Sequence, residues 1–321
     1  MLVRRRGDVM QTKETMMRVK PFAITLDVGT SLANRTGSWR TLKPVYVDRL
    51  PPCNAKCPAG EQCQAWLFHA QSGNYENAWK QIIEDNPFPA VMGRVCYHTC
   101  QGACNRNGID EPVGINAVER FLGDYALEKD WQLPVPAADT GRRILIVGAG
   151  PAGLSAAYQL RRLGHAVHVV ESAEAAGGMM RYGIPKYRLP REVLDQEIAR
   201  IAALGVEFEF GREVKDLNAE MKSAGYDAAF LGAGASLAHR AYIPAGDAAH
   251  ILDAVSVLRS MEAPAQGEET PMLGRRVVVY GGGNTAIDVA RTVKRLGSEP
   301  IVVYRRTPVS YTHLTLPTNR E

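Results

Sequence analysis

The sequence predicts an α/β protein in which a small helical domain precedes two Rossmann-like nucleotide-binding units. Three observations predict it. A strand, a glycine turn, a helix and a second strand follow one another over residues 143–171. The same order restarts at residue 276. Residues 53–131, ahead of both units, hold every cysteine and three of the four tryptophans.

At 321 residues the chain can bury a sizeable core and hold two or three domains. The formal net charge of +4 is too small to argue for nucleic acid or a membrane surface. No stretch approaches the roughly 18 apolar residues of a spanning helix. Residues 1–6 are basic but no apolar run follows, unlike a secretory signal. Six cysteines in such a chain point to metal or redox work, not a disulfide framework. The cytoplasm is the default compartment.

Along the chain, residues 1–50 lack clear periodicity and read as an irregular lead-in. Residues 51–135 read as the helical domain, with helical stretches at 78–84 and 115–129. Pro134, Pro136, Thr140 and Gly141 mark a linker. The apolar run 144–147 has the character of a buried parallel strand. A helix suits 154–163 and a strand 166–170. After Pro190, the spacing of Val193, Leu194, Ile198, Ile201 and Leu204 is helical. Further strands are expected at 206–210 and 228–231. The second unit has its helix at 285–296 and its next strand at 301–304.

In the first fingerprint Gly148 allows a tight turn out of the strand, and Gly150 lets backbone approach a pyrophosphate. Pro151 and Ala152 lead into the helix, and Gly153 lets that helix pack close to the sheet. The pyrophosphate meets unpaired amides at the helix start. Glu171 closes the second strand, where a carboxylate binds ribose hydroxyls. The loop that follows, with Gly178, Gly183 and Ile184, carries paired glycines that permit close backbone approach.

Gly281, Gly283 and Ala286 repeat the logic, with Thr285 between them and Asn284 placed to cap the helix. Arg305 takes the place that Glu171 holds in the first unit, and Arg306 follows it. Arginine cannot accept ribose hydrogen bonds, but its paired donors clamp a 2′-phosphate. The second site is therefore expected to prefer NADPH over NADH. Two such sites suggest two dinucleotides exchanging electrons.

Cys53 and Cys57 stand just before Pro58. Cys96, Cys100 and Cys104 recur every four residues, so on a helix they would share one face. Thiolates at this density suit an iron–sulfur cluster or zinc. The tight Cys-x-x-Cys pairs of zinc fingers are absent, which disfavours zinc. Cys63 reads equally as a packed thiol or a ligand.

These residues resemble a known family, the small subunit of NADPH-dependent glutamate synthase and its relatives, including the N-terminal half of dihydropyrimidine dehydrogenase. The resemblance covers about residues 50–307. It rests on Asn86-Pro87-Phe88-Pro89-Ala90, Gly93-Arg94-Val95-Cys96, the run from Gly114 to Phe121, and both fingerprints. It rests also on Gly183-Ile184-Pro185 through Arg188-Leu189-Pro190, and on Tyr304-Arg305-Arg306.

The resemblance implies a [4Fe-4S] domain, an FAD site at the first fingerprint with Arg188 among its contacts, and an NADPH site at the second. Electrons would pass from NADPH through FAD and the cluster to a larger catalytic subunit or electron-acceptor protein. By position, Cys57, Cys96, Cys100 and Glu119 resemble one ligand set, with Cys53 and Cys104 the remains of another. Alternatively, Cys104 is the fourth thiolate of a single cluster. Hydride transfer demands no protein acid, base or nucleophile, so no catalytic residue is named.

The sequence departs from the family in lacking a cysteine pair upstream of Cys53, and in its tail. Residues 308–321 match nothing expected there and read as a non-native tail. On this reading 142–265 and 271–307 are the first parts of the FAD and NADPH domains. Two other functions compete. One is a metal-stabilised docking module without enzyme activity, which would lack flavin and cluster colour. The other is a stand-alone flavin-dependent reductase of a small molecule. Its disulfide-reducing form is disfavoured because no cysteine occurs between 142 and 321.

Overall fold

A computed structural model of the chain describes residues 50–235, 251–262 and 273–304. The lead-in, Arg305, Arg306 and the tail at 308–321 lie outside the described residues.

Six helices form the first layer: α1 (Pro52–Lys56), α2 (Cys63–Gln71), α3 (Tyr75–Ile83), α4 (Pro89–Val95), α5 (Thr99–Gly102) and α6 (Ile115–Glu128). Both α1 and α4 carry proline in the first turn, where its missing N–H costs nothing. On α6 the buried residues Ile115, Asn116, Glu119, Leu122, Gly123 and Ala126 follow the helical repeat and form one stripe. This stripe meets α4 backbone to backbone. A Cβ on Gly93 would stand 2.4 Å from Arg120 Cα, and one on Gly123 would stand 2.3 Å from the Ala90 nitrogen. Arg94 adds a bidentate pair to Asp124 at 2.6 and 3.0 Å.

The second layer is a four-stranded parallel sheet of β1 (Arg143–Val147), β2 (Ala166–Val170), β3 (Glu207–Glu209) and β4 (Ala228–Leu231), in the order β3-β2-β1-β4. Around it run α7 (Pro151–Arg162), α8 (Met179–Tyr182), α9 (Arg191–Ala203) and α10 (Leu217–Ala224). Beyond it, α11 (Ala254–Glu262), β5 (Arg276–Tyr280), α12 (Asn284–Arg295) and β6 (Glu299–Val303) begin the second unit. Pro300 lies inside β6, paired with Val277. The sequence pattern starts this strand two residues too late, because proline is rare within sheets away from their edges. The sequence reading places no helix at α11, which Asp253 caps by accepting from the Ser256 amide at 2.8 Å.

The helical layer and the first sheet share one core. Trp79, Ile83, Phe88 and Val91 pack in the same cluster as Leu154, Tyr158, Val169, Leu194 and Ile201. Polar contacts fix the junction. The Glu197 carboxylate on α9 accepts from the amides of Ala90 (2.9 Å) and Val91 (3.1 Å) at the start of α4. Arg200 donates to the Ala126 carbonyl near the end of α6.

Candidate thiol cluster and dinucleotide sites

The cysteines arrive at their site from four helix ends. Cys57 ends α1, Cys63 opens α2, Cys96 ends α4 and Cys100 lies in α5. The expected helical face of Cys96, Cys100 and Cys104 does not form. His98 adopts a left-handed φ of 55° and restarts the chain, and both Cys96 and Cys104 are extended. A periodicity of four therefore arose from a turn rather than from a helix. Cys100 turns into the core, while Cys104 stays outside the packed cluster that holds Cys63 and Cys100. Cys53 and Cys57 pack against that cluster from its rim.

Cys63, left open by the sequence, is the buried centre of this group. Its thiol meets both Cys100 and Cys57 in side-chain hydrogen bonds. The ligand atoms of Cys57, Glu61 and Cys63 lie within 4.8 Å of one another. The hydrogen bond with Cys63, together with the amides of residues 59–61, draws the Cys57 thiol down to about 6. The Cys63 contact likewise lowers Cys100, to about 7, whereas Cys63 itself is pushed up. Cys63 Sγ is also placed to donate to the Cys53 carbonyl at 4.0 Å, and metal binding would displace the protons of these thiols. The soft, thiolate-prone donor set fits an iron–sulfur cluster.

A carboxylate pair backs the thiols. Asn86 donates to Glu61 Oε1 at 2.8 Å and to Glu119 Oε1 at 3.0 Å, while its own oxygen accepts from the Phe88 amide. Trp66 holds the other Glu61 oxygen at 3.2 Å. Burial, reinforced by the thiolates, pushes Glu61 to about 7, and burial with the charges of Glu61 and the thiolates pushes Glu119 to about 10. Only the family resemblance pointed to Glu119 in the sequence. Nothing there pointed to Glu61.

At the first fingerprint Gly148 has φ +99°, and a Cβ there would stand 2.5 Å from the Gly232 oxygen. A Cβ on Gly153 would strike the Gly148 oxygen at 1.9 Å, as expected for close helix–strand packing. The helix α7 starts from Gly150 with no side-chain cap, so its first amides have no side-chain partner at the N-cap. Gly178 closes on this loop, its missing Cβ 2.7 Å from Gly150 Cα. Glu171 sits at the rim, accepting from the Ala149 amide at 2.7 Å and the Ala173 amide at 2.8 Å. This glycine-lined cradle fits the pyrophosphate of a dinucleotide such as FAD. Pro151 and Ala152 form the exposed first turn of α7. Arg191 ties down the adjoining loop through the carbonyls of Leu189 (2.8 Å) and Ile184 (2.7 Å), next to Gly183.

The second fingerprint repeats the pattern with two differences. The cap of α12 is Gly283, not Asn284, which is the first helical residue and donates to Tyr97 Oη at 3.0 Å. Strand register pairs Val147 with Val170 and Tyr280 with Val303. The residue structurally equivalent to Glu171 is therefore Tyr304, and Arg305 falls one place beyond. Strand register, not charge, fixes which residue corresponds to Glu171. A Cβ on Gly282 would lie 2.7 Å from the Tyr304 ring, so that ring packs on the glycine turn. Thr285 and Ala286 follow in the first turn of α12. Arg188 reaches this helix. Its guanidinium pairs with the buried Asp288 at 2.5 Å, and Tyr187 donates to the Asp288 carbonyl at 3.3 Å.

Two parallel fingerprint sheets behind a thiol-lined helical domain define a pyridine-nucleotide-linked oxidoreductase with an iron–sulfur domain. Residues 142–314 match the family described as pyridine nucleotide-disulphide oxidoreductase, and residues 48–131 match dihydropyrimidine dehydrogenase domain II, 4Fe-4S cluster. The chain belongs to the pyridine nucleotide-disulphide oxidoreductase family.

It is 34% identical over 284 residues to the NADP(+)-dependent formate dehydrogenase subunit beta of Moorella thermoacetica, covering 80% of this chain and 40% of that protein. It is 36% identical over 259 residues to the NAD-dependent dihydropyrimidine dehydrogenase subunit PreT of Salmonella typhimurium, covering 79% and 62%. It is 33% identical over 260 residues to the glutamate synthase [NADPH] small chain of Mycobacterium tuberculosis, covering 78% and 53%. The chain thus spans roughly two-fifths to three-fifths of these relatives' lengths. Among the described residues no helix is long and apolar enough to cross a membrane.

Proposed function

We propose that this chain is the electron-input part of an NADPH-dependent flavin and iron–sulfur oxidoreductase. Electrons would pass from NADPH through FAD and a [4Fe-4S] cluster to a larger catalytic subunit or an electron-acceptor protein, as the resemblance to the glutamate synthase small subunit implies. The observation that carries this reading is the shared core. The thiol group and the first fingerprint are built on helices packed in one cluster and pinned by Glu197, so the two centres belong to one unit. When bound, the three groups supply hydride uptake and single-electron transfer.

The chain's own residues bind and orient. Gly148, Gly150, Gly153 and Gly178 shape the first pyrophosphate cradle, with Glu171 at the ribose. Gly281, Gly283, Asn284, Thr285 and Ala286 form the second, with Arg305 and Arg306 for the 2′-phosphate. Cys57, Cys96 and Cys100 supply thiolates, and the resemblance implies Glu119 as the fourth donor. Val278, Val302 and Val303 of the two-stranded second sheet are exposed, as are Phe230 and Leu231 of the first, which supports the expectation that both domains are first parts. We place the protein in the cytoplasm, where thiols stay reduced.

The test uses the full chain, reconstituted anaerobically with FAD, iron and sulfide, then mixed with NADPH or NADH. Flavin bleaching much faster with NADPH is expected, and Arg305→Ala should narrow that gap. A chain that retains no flavin defeats the electron-input reading and favours the docking module. Equal bleaching by both nucleotides defeats the 2′-phosphate assignment.

A further inference from the structure

We infer that Tyr97 is a positioning residue of the second dinucleotide site, supplied to it by the loop that carries Cys96 and Cys100. The inference rests on the NADPH reading above and adds to that site a residue of the helical domain.

Tyr97 lies in the turn that joins α4 to α5, between the two cysteines. This thiol loop is held at both ends. The Cys96 amide donates to the Met92 carbonyl at 2.9 Å, and Thr99 Oγ1 donates to the Lys56 carbonyl at 2.8 Å. His98, at φ 55°, turns the chain between them, so that Cys100 is buried while Tyr97 is 66% exposed. At that exposure packing does not fix the phenol. Its hydroxyl does, by accepting from Asn284 Nδ2 at 3.0 Å across 187 residues of chain.

Asn284 is the first residue of α12, beside the glycine turn of the second fingerprint. Its side chain does not cap the helix but reaches out to Tyr97. The backbone N–H groups of this first turn are therefore left to a pyrophosphate, while the side chain ties the turn to the thiol loop. Four residues on, along the same face of α12, Asp288 pairs with Arg188 at 2.5 Å. One helix face thus meets the thiol loop at its start and a loop of the first dinucleotide unit one turn later. A nucleotide seated on the first turn of α12 bears on both contacts, and Tyr97 is the one through which the thiol loop feels it.

The test titrates NADP+ into the full chain by calorimetry and follows backbone hydrogen exchange by mass spectrometry. In the wild type, NADP+ is expected to slow exchange in peptides from both 281–292 and 93–104. Tyr97→Phe removes only the hydroxyl and leaves the exposed ring, so melting of the nucleotide-free chain should not change. The variant is expected to bind NADP+ about two- to tenfold more weakly, the worth of one hydrogen bond. It should keep the slowing at 281–292 and lose it at 93–104. Added to Asn284→Ala, Tyr97→Phe should cause no further loss of affinity, because the two side chains act as one contact. Wild-type affinity or unchanged slowing at 93–104 in Tyr97→Phe would overturn the inference, as would losses that add in the double variant. A wild-type chain that takes up no NADP+ would instead overturn the NADPH reading, and the inference with it.

Discussion

Asn86 shows how much one buried amide can organise. Its two N–H groups serve Glu61 and Glu119, and its oxygen receives the Phe88 amide that leads into α4. Asn86→Ala strands the Oε1 atoms of Glu61 and Glu119 and that amide without solvent, while Trp66 still holds Glu61 Oε2. Denaturant unfolding of the metal-free chain should show a loss of about 1–3 kcal/mol, the cost of leaving buried polar groups unpaired. An unchanged midpoint would mean that the two carboxyl groups pair with each other instead. The asparagine was visible in the sequence only as part of a motif. Its partners come from residues 25 and 33 positions away, so no local pattern could name them.

At the scale of elements, α4 and α6 approach so closely that glycine is the only side chain that fits at the crossing. In Gly123→Ala the new methyl carbon would lie 2.3 Å from the Ala90 nitrogen and 2.5 Å from its Cα. Backbone cannot yield as a flexible side chain does, so the helices must separate. Overpacking of this kind costs about 1–3 kcal/mol. The same shift would pull Ala90 and Val91 off Glu197 and move Cys96 at the end of α4. Thermal melting should fall and iron uptake should weaken together. A variant that melts lower yet loads iron normally would show that the cluster site tolerates movement of α4.

For the whole molecule, Glu197 is the contact whose pH dependence can be followed. Burial pushes its carboxyl up to about 8, against the pull of the Ala90 and Val91 amides and the charges of Arg200 and Arg94. The folded state therefore holds this proton more tightly than the unfolded chain, where a glutamate titrates near ~4.3. The associated stability is fully present below that lower value and is lost as pH rises through about 8. Wild type should lose stability relative to Glu197→Gln between about pH 5 and about pH 9, because glutamine carries no titrating proton. Denaturation midpoints that run parallel in the two proteins would rule out this linkage. The contact joins helical layer to sheet, so its loss should also be felt at both centres.

The sequence alone determined the class of fold, the two fingerprints and the region of the thiol site. Those features have local causes: a positive φ that only glycine tolerates, an apolar run followed by a helix start, and cysteines gathered in one stretch. Tertiary structure decided the rest. It brought Cys100 beside Cys57 and Cys63, because α5 folds back onto α1 and α2 from further along the chain. It broke the apparent helical face of Cys96, Cys100 and Cys104 at His98. It gave Tyr304 the place in the second unit that Glu171 holds in the first, because strand register, not charge, fixes equivalence. And it fused the helical domain to the first sheet through Trp79, Phe88 and Glu197, a union that no stretch of sequence encodes by itself, since buried area and hydrogen bonds are shared only once the layers meet.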